Sequence, residues 1–140
     1  MDEPNIKTLN ELLKGEHMAI QSYESVMPYL SENTRKEISS IVRDHKKHAL
    51  EISDRITQLG GMPVESTGMA GMMSQMKLRA EGMVQDEKNM LMKLYDGEDQ
   101  GIAAAEKVAE GDLDNTSMEM VKKILNTDHD HLKKLQQLIN

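Results

Sequence analysis

The sequence predicts an all-α fold, an antiparallel four-helix bundle with one long crossover between its second and third helices. Three observations predict it. Apolar residues recur at three- and four-residue steps in four separate stretches, the spacing of one face of an α-helix. The palette is poor in strand formers: none of the 140 residues is Phe, Trp or Cys, and Tyr23, Tyr29 and Tyr95 are the only aromatics. The breaks between the four stretches are short, long and short in turn.

The first helix is expected over about 6–30, capped by Asn5 or Thr8, with Ile6, Leu9, Leu13, Ile20, Tyr23, Met27 and Leu30 on one side. Pro28 bends it or ends it early. The second, about 34–59, starts at an Asn33 or Thr34 cap with Glu37 as capping-box partner and stops at Gly60-Gly61, with Pro63 just beyond. Its stripe is Ile38, Ile41, Ala49, Ile52, Ile56 and Leu59. Residues 60–85 form the crossover, carrying Pro63, Gly68 and Gly71 and expected to be partly helical between Gly71 and Val84. The third helix, about 86–109, has Leu91, Leu94, Ile102, Ala105 and Val108 along its seam; Gly97 and Gly101 weaken it. Gly111-Asp112 breaks the chain, and Asp112 and Asp114 are the candidate caps of the fourth helix, about 114–139. Two short-linked hairpins joined by one long crossover make the ferritin-like topology. A chain of this length is expected to be one domain over residues 1–140.

Composition excludes several functions. Without Cys there are no disulfides and no thiolate metal sites. A formal charge of −7 disfavours nucleic acid and anionic membrane surfaces, because phosphates are repelled. No apolar run approaches the roughly 20 residues that span a bilayer. The acidic start, Met1-Asp2-Glu3-Pro4-Asn5, has no signal-peptide apolar segment, so a cytoplasmic protein is expected. The 13 Met residues, among them Met62, Met69, Met72, Met73, Met76 and Met83, are expected to supply core volume in place of Phe and Trp.

The chemistry lies where the oily stripes are interrupted. His45 and His48 occupy the middle steps of the second stripe, and Asp128 and His131 those of the fourth, between Val121, Ile124 and Leu125 on one side and Leu132, Leu135 and Leu138 on the other. A buried carboxylate or imidazole is costly unless compensated, and a bound cation compensates it well. Glu16, between Leu13 and Ile20, and Glu98, between Leu94 and Ile102, are the seam residues near mid-length of the first and third helices. Di-metal bundles use one carboxylate from each of two helices and an i, i+3 pair from each of the others. His17 and His129 are expected at the surface, Tyr23 one step from solvent, and Asp44 and Asp130 either solvated or accepting from an imidazole N–H.

Several motifs carry a resemblance. Gly15-Glu16-His17, with Tyr23 seven residues after Glu16, resembles the first-helix motif of rubrerythrin and related ferritin-like proteins. His48-Ala49 resembles the end of their second-helix Glu-x-x-His, Gly97-Glu98 their third-helix ligand, and Asp128-x-x-His131 their fourth-helix Glu-x-x-His with Asp for Glu. Leu-Asn-Glu-Leu-Leu at the start, Gly-Gly after the second helix and Gly-Glu-Asp in the third look closest to a small bacterial ferritin-like family of unassigned function. The resemblance implies Glu16, His48, Glu98, Asp128 and His131 as metal ligands and Tyr23 as a hydrogen-bonding residue behind them. It departs at His45, where relatives carry a bridging carboxylate, and at Gly101, where rubrerythrin has a further carboxylate.

With His45 as sixth ligand, the expectation is a site for two iron ions, with zinc or manganese as alternatives. Its partners are metal ions and O2 or peroxide, as in an oxidase, peroxidase or ferroxidase. The alternative is a noncatalytic metal-binding or structural bundle, for example one binding zinc or forming a homodimer through a Met-rich face. An iron-storage shell ranks last, since nothing in the sequence supports it.

Overall fold

The computed structural model describes residues 3–66 and 86–140. Among the described residues four α-helices follow in order: α1 Glu3–Val26, α2 Glu32–Gln58, α3 Glu87–Ala109 and α4 Asn115–Ile139, with a 3-10 turn at Met27–Tyr29. Among the described residues there is no strand, and no helix long and apolar enough to cross a membrane.

The helix ends differ from expectation for local reasons. α1 is already helical at Glu3, so Asn5 and Thr8 lie inside it instead of capping it. Pro4 suits a first turn, where its missing N–H is no loss. Asn5 instead donates from Nδ2 to Asp114 Oδ2 (3.0 Å), tying the start of α1 to the start of α4. Pro28 cannot donate to the preceding turn, so α1 stops at Val26 and the chain tightens into the 3-10 turn. Ser31, not Asn33 or Thr34, stands at the N-cap position of α2, without a side-chain bond to the helix backbone. The capping-box position is then Thr34, whose hydroxyl accepts from Ser31 Oγ (3.0 Å), and Glu37 instead pairs with Lys134 on α4 (3.5 Å). The far end of α2 closes as a Schellman motif: Gly60 N donates to Thr57 O (3.0 Å) and Gly61 N to Ile56 O (2.9 Å). Gly60 takes φ +87°, which an L side chain resists, and a Cβ on Gly61 would meet Ile6 Cγ2 at 2.7 Å. Asp86 and Asp114 cap α3 and α4, accepting from Asn89 N (2.9 Å) and Ser117 N (2.7 Å); Asp112 is exposed and caps nothing.

α1 packs on α2 and α3, and α4 on α3 and α2. One apolar cluster joins Tyr23, Val26, Ile38, Ile41, Leu91, Leu94 and Leu135. These come from the end of α1, the start of α2, the start of α3 and the end of α4. A second joins Leu9, Leu13, Ile52, Ile56, Ala109, Val121 and Ile124, from the opposite ends. Packed neighbours are therefore antiparallel, as predicted, while α2 and α3 start at the same end. The end of α2 and the start of α3 therefore lie at opposite ends of the bundle, the length of a 27-residue helix apart, about 40 Å at 1.5 Å per residue. The residues just after α2 run along α1. There Asn10 holds Met62 O (3.0 Å) and Val64 N (2.8 Å), His17 lies 3.1 Å from Val64 O, and Gln21 donates to Ser66 O (3.2 Å).

The helical turns expected within 71–84 lie outside the described residues, as do Met69, Met72, Met73, Met76 and Met83. Met62 is 83% exposed and fills no core, because the Gly60–Gly61 turn has already carried the chain off the bundle. Core volume comes chiefly from Leu, Ile and Val, with Met90 buried among them.

Candidate metal centre

Between the two apolar clusters lies a polar layer. Glu16 on α1, His45 and His48 on α2, Glu98 on α3, and Asp128 and His131 on α4 are all buried. The three-residue step turns both side chains of α2, and both of α4, into the bundle. Glu16 and Glu98 enter from the other two helices, so all six predicted residues meet. Gly101 is exposed, and a Cβ there would meet nothing within 4 Å, so that position adds nothing to the layer.

Two kinds of contact hold the layer. The short ones are hydrogen bonds: His45 Nδ1 donates to Glu16 Oε2 (2.6 Å) and His45 Nε2 to Glu98 Oε1 (3.0 Å), so its ring spans two carboxylates. Tyr23 donates to the same Glu98 oxygen (2.5 Å) and stacks on His45 with ring centroids 5.7 Å apart. His131 Nε2 donates to Asp44 Oδ2 (2.8 Å). The longer ones are not hydrogen bonds. His48 Nδ1 lies 3.5 Å from Glu16 Oε1 and 3.7 Å from Asp128 Oδ1. His131 Nδ1 lies 3.4 Å from Asp128 Oδ1 and 3.7 Å from Glu98 Oε2.

His48 Nδ1, Asp128 Oδ1 and His131 Nδ1 are three of the five buried side-chain polar atoms without a hydrogen-bond partner among the described residues. Each such atom costs about 1–3 kcal/mol, yet both nitrogens face Asp128 Oδ1, at 3.7 and 3.4 Å. Two ligands about 2.0–2.2 Å from a shared ion stand about 3.3–3.6 Å apart in a tetrahedron, close to the spacings observed. Two overlapping groups have ligand atoms all within 4.8 Å of one another: Glu16, His45, His48 and Asp128, and His45, Glu98, Asp128 and His131. The residues present fit a cation.

The electrostatics agree. Burial alone would raise the Glu16 carboxyl, but the hydrogen bond from His45 and the positive charge of His45 and His48 beside it outweigh that and lower its pKa. Glu98, also opposed by burial, falls to about 2 through His131, His45 and Tyr23. Burial works against protonated His45, yet Glu16 and Glu98 raise its pKa well above the usual value. His131 is raised, against burial, by Glu98 and Asp44. Asp128 goes the other way: burial, then repulsion from Glu16 and Glu98, lifts it to about 7. Burial and the Glu98 charge raise Tyr23.

The flanking residues divide. His129 is exposed, as expected, and Asp130 is solvated, 3.9 Å from Lys133. Asp44 is both partly solvated and the acceptor for His131. Tyr23, expected near solvent, is only 3% exposed, because α2 and α3 close over it at His45 and Glu98. His17, expected at the surface, is half-buried against the crossover carbonyl of Val64. The pairing of Asp44 with His131, 87 residues apart, leaves no local signal. Only the position of Asp44 beside His45 marked it as a candidate.

Residues 5–111 match the family model described as a domain of unknown function, DUF2383. No curated protein matches the chain in sequence. Among solved structures, the chain is similar to the bacterioferritin-related protein from Bacteroides fragilis, described as a dodecameric thioferritin. The TM-score is 0.73 over 98% of this chain and 84% of that one, at 21% identity. The likeness is one of fold: an all-α, ferritin-like four-helix bundle.

Proposed function

We propose a function from the site itself, since the chain belongs to the DUF2383 family, defined as a domain of unknown function: it is a ferritin-like metal protein whose buried centre binds two iron ions and reacts with O2 or peroxide. The observation that carries this is the convergence of His48 Nδ1, Asp128 Oδ1 and His131 Nδ1, buried and unpartnered, between two carboxylates. Glu16 with His48 would hold one ion and Glu98 with His131 the other. Asp128 and His45 stand between, each belonging to both ligand groups. Bound iron supplies the electrons for reducing O2 or peroxide.

The chain's own residues do the rest. Glu16 and Glu98 stay ionised and offer charge to the cations, and the two apolar clusters shield the layer on either side. Tyr23 holds one oxygen of Glu98 and leaves the other turned toward His131. The similar Bacteroides fragilis protein is described as a dodecamer; self-association of this chain, as a homodimer or larger, belongs to the same proposal.

A second reading, a noncatalytic zinc site, is favoured by one observation. His45, where ferritin-like relatives bring a carboxylate, already has both ring nitrogens committed to Glu16 and Glu98. Metal analysis of anaerobically purified protein, followed by Fe(II) and then peroxide, separates the two. Two irons per chain and an oxidised di-iron absorption are expected. One tightly held zinc with no iron uptake establishes the second reading instead.

A further inference from the structure

The two halves of the centre are not built alike. Glu16 and His48 are positioned within the cluster: Glu16 Oε2 is held by His45 (2.6 Å), and among the described residues no hydrogen bond reaches either side chain from outside the six. Glu98 and His131 are each gripped from outside. Tyr23 holds Glu98 Oε1, leaving Oε2 3.7 Å from His131 Nδ1. Asp44, on α2, accepts from His131 Nε2 on α4 (2.8 Å). As a neutral imidazole with its proton held on Nε2 by Asp44, the form that binds an ion, His131 presents a bare Nδ1 3.4 Å from Asp128 Oδ1.

Asp44 is also the inner end of a seam. One and two turns back along α2, Ser40 and Glu37 meet Lys134 at 3.3 and 3.5 Å, fastening the same stretch of α4. The backbone around His131 is thus tied to α2 at three positions. The carboxylate of Asp44 remains 43% exposed, at the rim of the bundle, whereas His131 is buried.

A ligand already held in its binding orientation loses little further freedom when the ion arrives, and an oriented imidazole is worth about 10–100-fold in metal affinity. Glu16 and Glu98 both accept from His45, but Glu98 has a second hold, from Tyr23, that stays when an ion draws on His45, whereas Glu16 has none. We propose that the centre fills in a fixed order, the ion held by Glu98, Asp128 and His131 binding before the ion held by Glu16, Asp128 and His48, and that Asp44 is the positioning residue that sets this order. The order presupposes the two-ion centre proposed above.

Anaerobic titration of the full chain with Co(II), followed by visible absorption and calorimetry, tests it. Wild type is expected to bind two ions in two phases at least about tenfold apart in affinity. Asp44→Ala weakens the first phase about 10–100-fold, merging it with the second. Asp44→Asn, whose amide oxygen still accepts from Nε2–H, keeps them apart. His48→Ala abolishes only the second phase, and this arm does not depend on how the Asp44 variants fold. Two ions binding with equal affinity, an Asp44→Ala variant with an unchanged first phase, or loss of the first phase in His48→Ala each overturns the order. A wild-type chain that binds no cobalt removes the metal centre itself, a failure distinct from a wrong order.

Discussion

Asp128 is the site residue whose role in binding and cost to folding pull hardest against each other. Its folded pKa is raised to about 7, first by burial and then by Glu16 and Glu98, from 3.8. A raised carboxyl contributes its full stability below the unfolded value and loses it as pH climbs through the folded one. The rise is about 3 pH units, each worth about 1.4 kcal/mol, so ionised Asp128 costs the metal-free fold up to about 4 kcal/mol above pH 7. At pH 5 it is still protonated in the fold but ionised in the unfolded chain, and the cost is about 1–2 kcal/mol. Asp128→Asn keeps the shape and removes the charge, and Oδ1 gives up no hydrogen bond in the exchange. Metal-free Asp128→Asn is therefore expected to gain about 2–3 kcal/mol more over wild type at pH 8 than at pH 5. Urea unfolding of both proteins in chelator at the two pH values measures it. With Fe(II) or Zn(II) present the proposed centre predicts the reverse ranking, because the variant lacks the Asp128 carboxylate as a ligand. Equal stability differences at both pH values, or a variant less stable than wild type at pH 8 without metal, would refute the electrostatic account.

Three further outcomes are expected. Gly61→Ala drives a Cβ to 2.7 Å from Ile6 Cγ2 and 3.0 Å from Ile56 Cγ2; thermal melts should show a loss of about 1–3 kcal/mol. Leu13→Ala empties a fully buried position beside the centre, and chemical unfolding should register about 2–5 kcal/mol. Asp114→Ala removes the α4 cap together with its bonds to Arg55 (2.7 Å) and Asn5 (3.0 Å), for about 1–2 kcal/mol in urea titrations. Ser117, and then Arg55, hold the Asp114 carboxyl down to about 2 from 3.8. Its ionic share is therefore complete above the unfolded value and disappears as pH falls through about 2. The difference between this variant and wild type should narrow in acid.

Helix periodicity is a property of the chain itself, so the four stripes, the three-residue pairs interrupting two of them, and Glu16 and Glu98 on the other two could all be read from the sequence. The antiparallel bundle and its long crossover followed from break lengths alone. Helix ends were less legible. Ser31 in place of Asn33, and helix already at Glu3 in place of a cap at Asn5, were settled by contacts from other helices, such as Asn5 with Asp114 and Glu37 with Lys134.

Tertiary structure alone decided how the six residues meet. His45 spans Glu16 and Glu98, His131 finds Asp44 across 87 residues, Tyr23 sinks beneath α2 and α3, and His17 clasps the crossover. The reason is geometric. The face of a helix is written every 3.6 residues along one chain segment, whereas the height and rotation of one helix against another are set by the joint packing of all four.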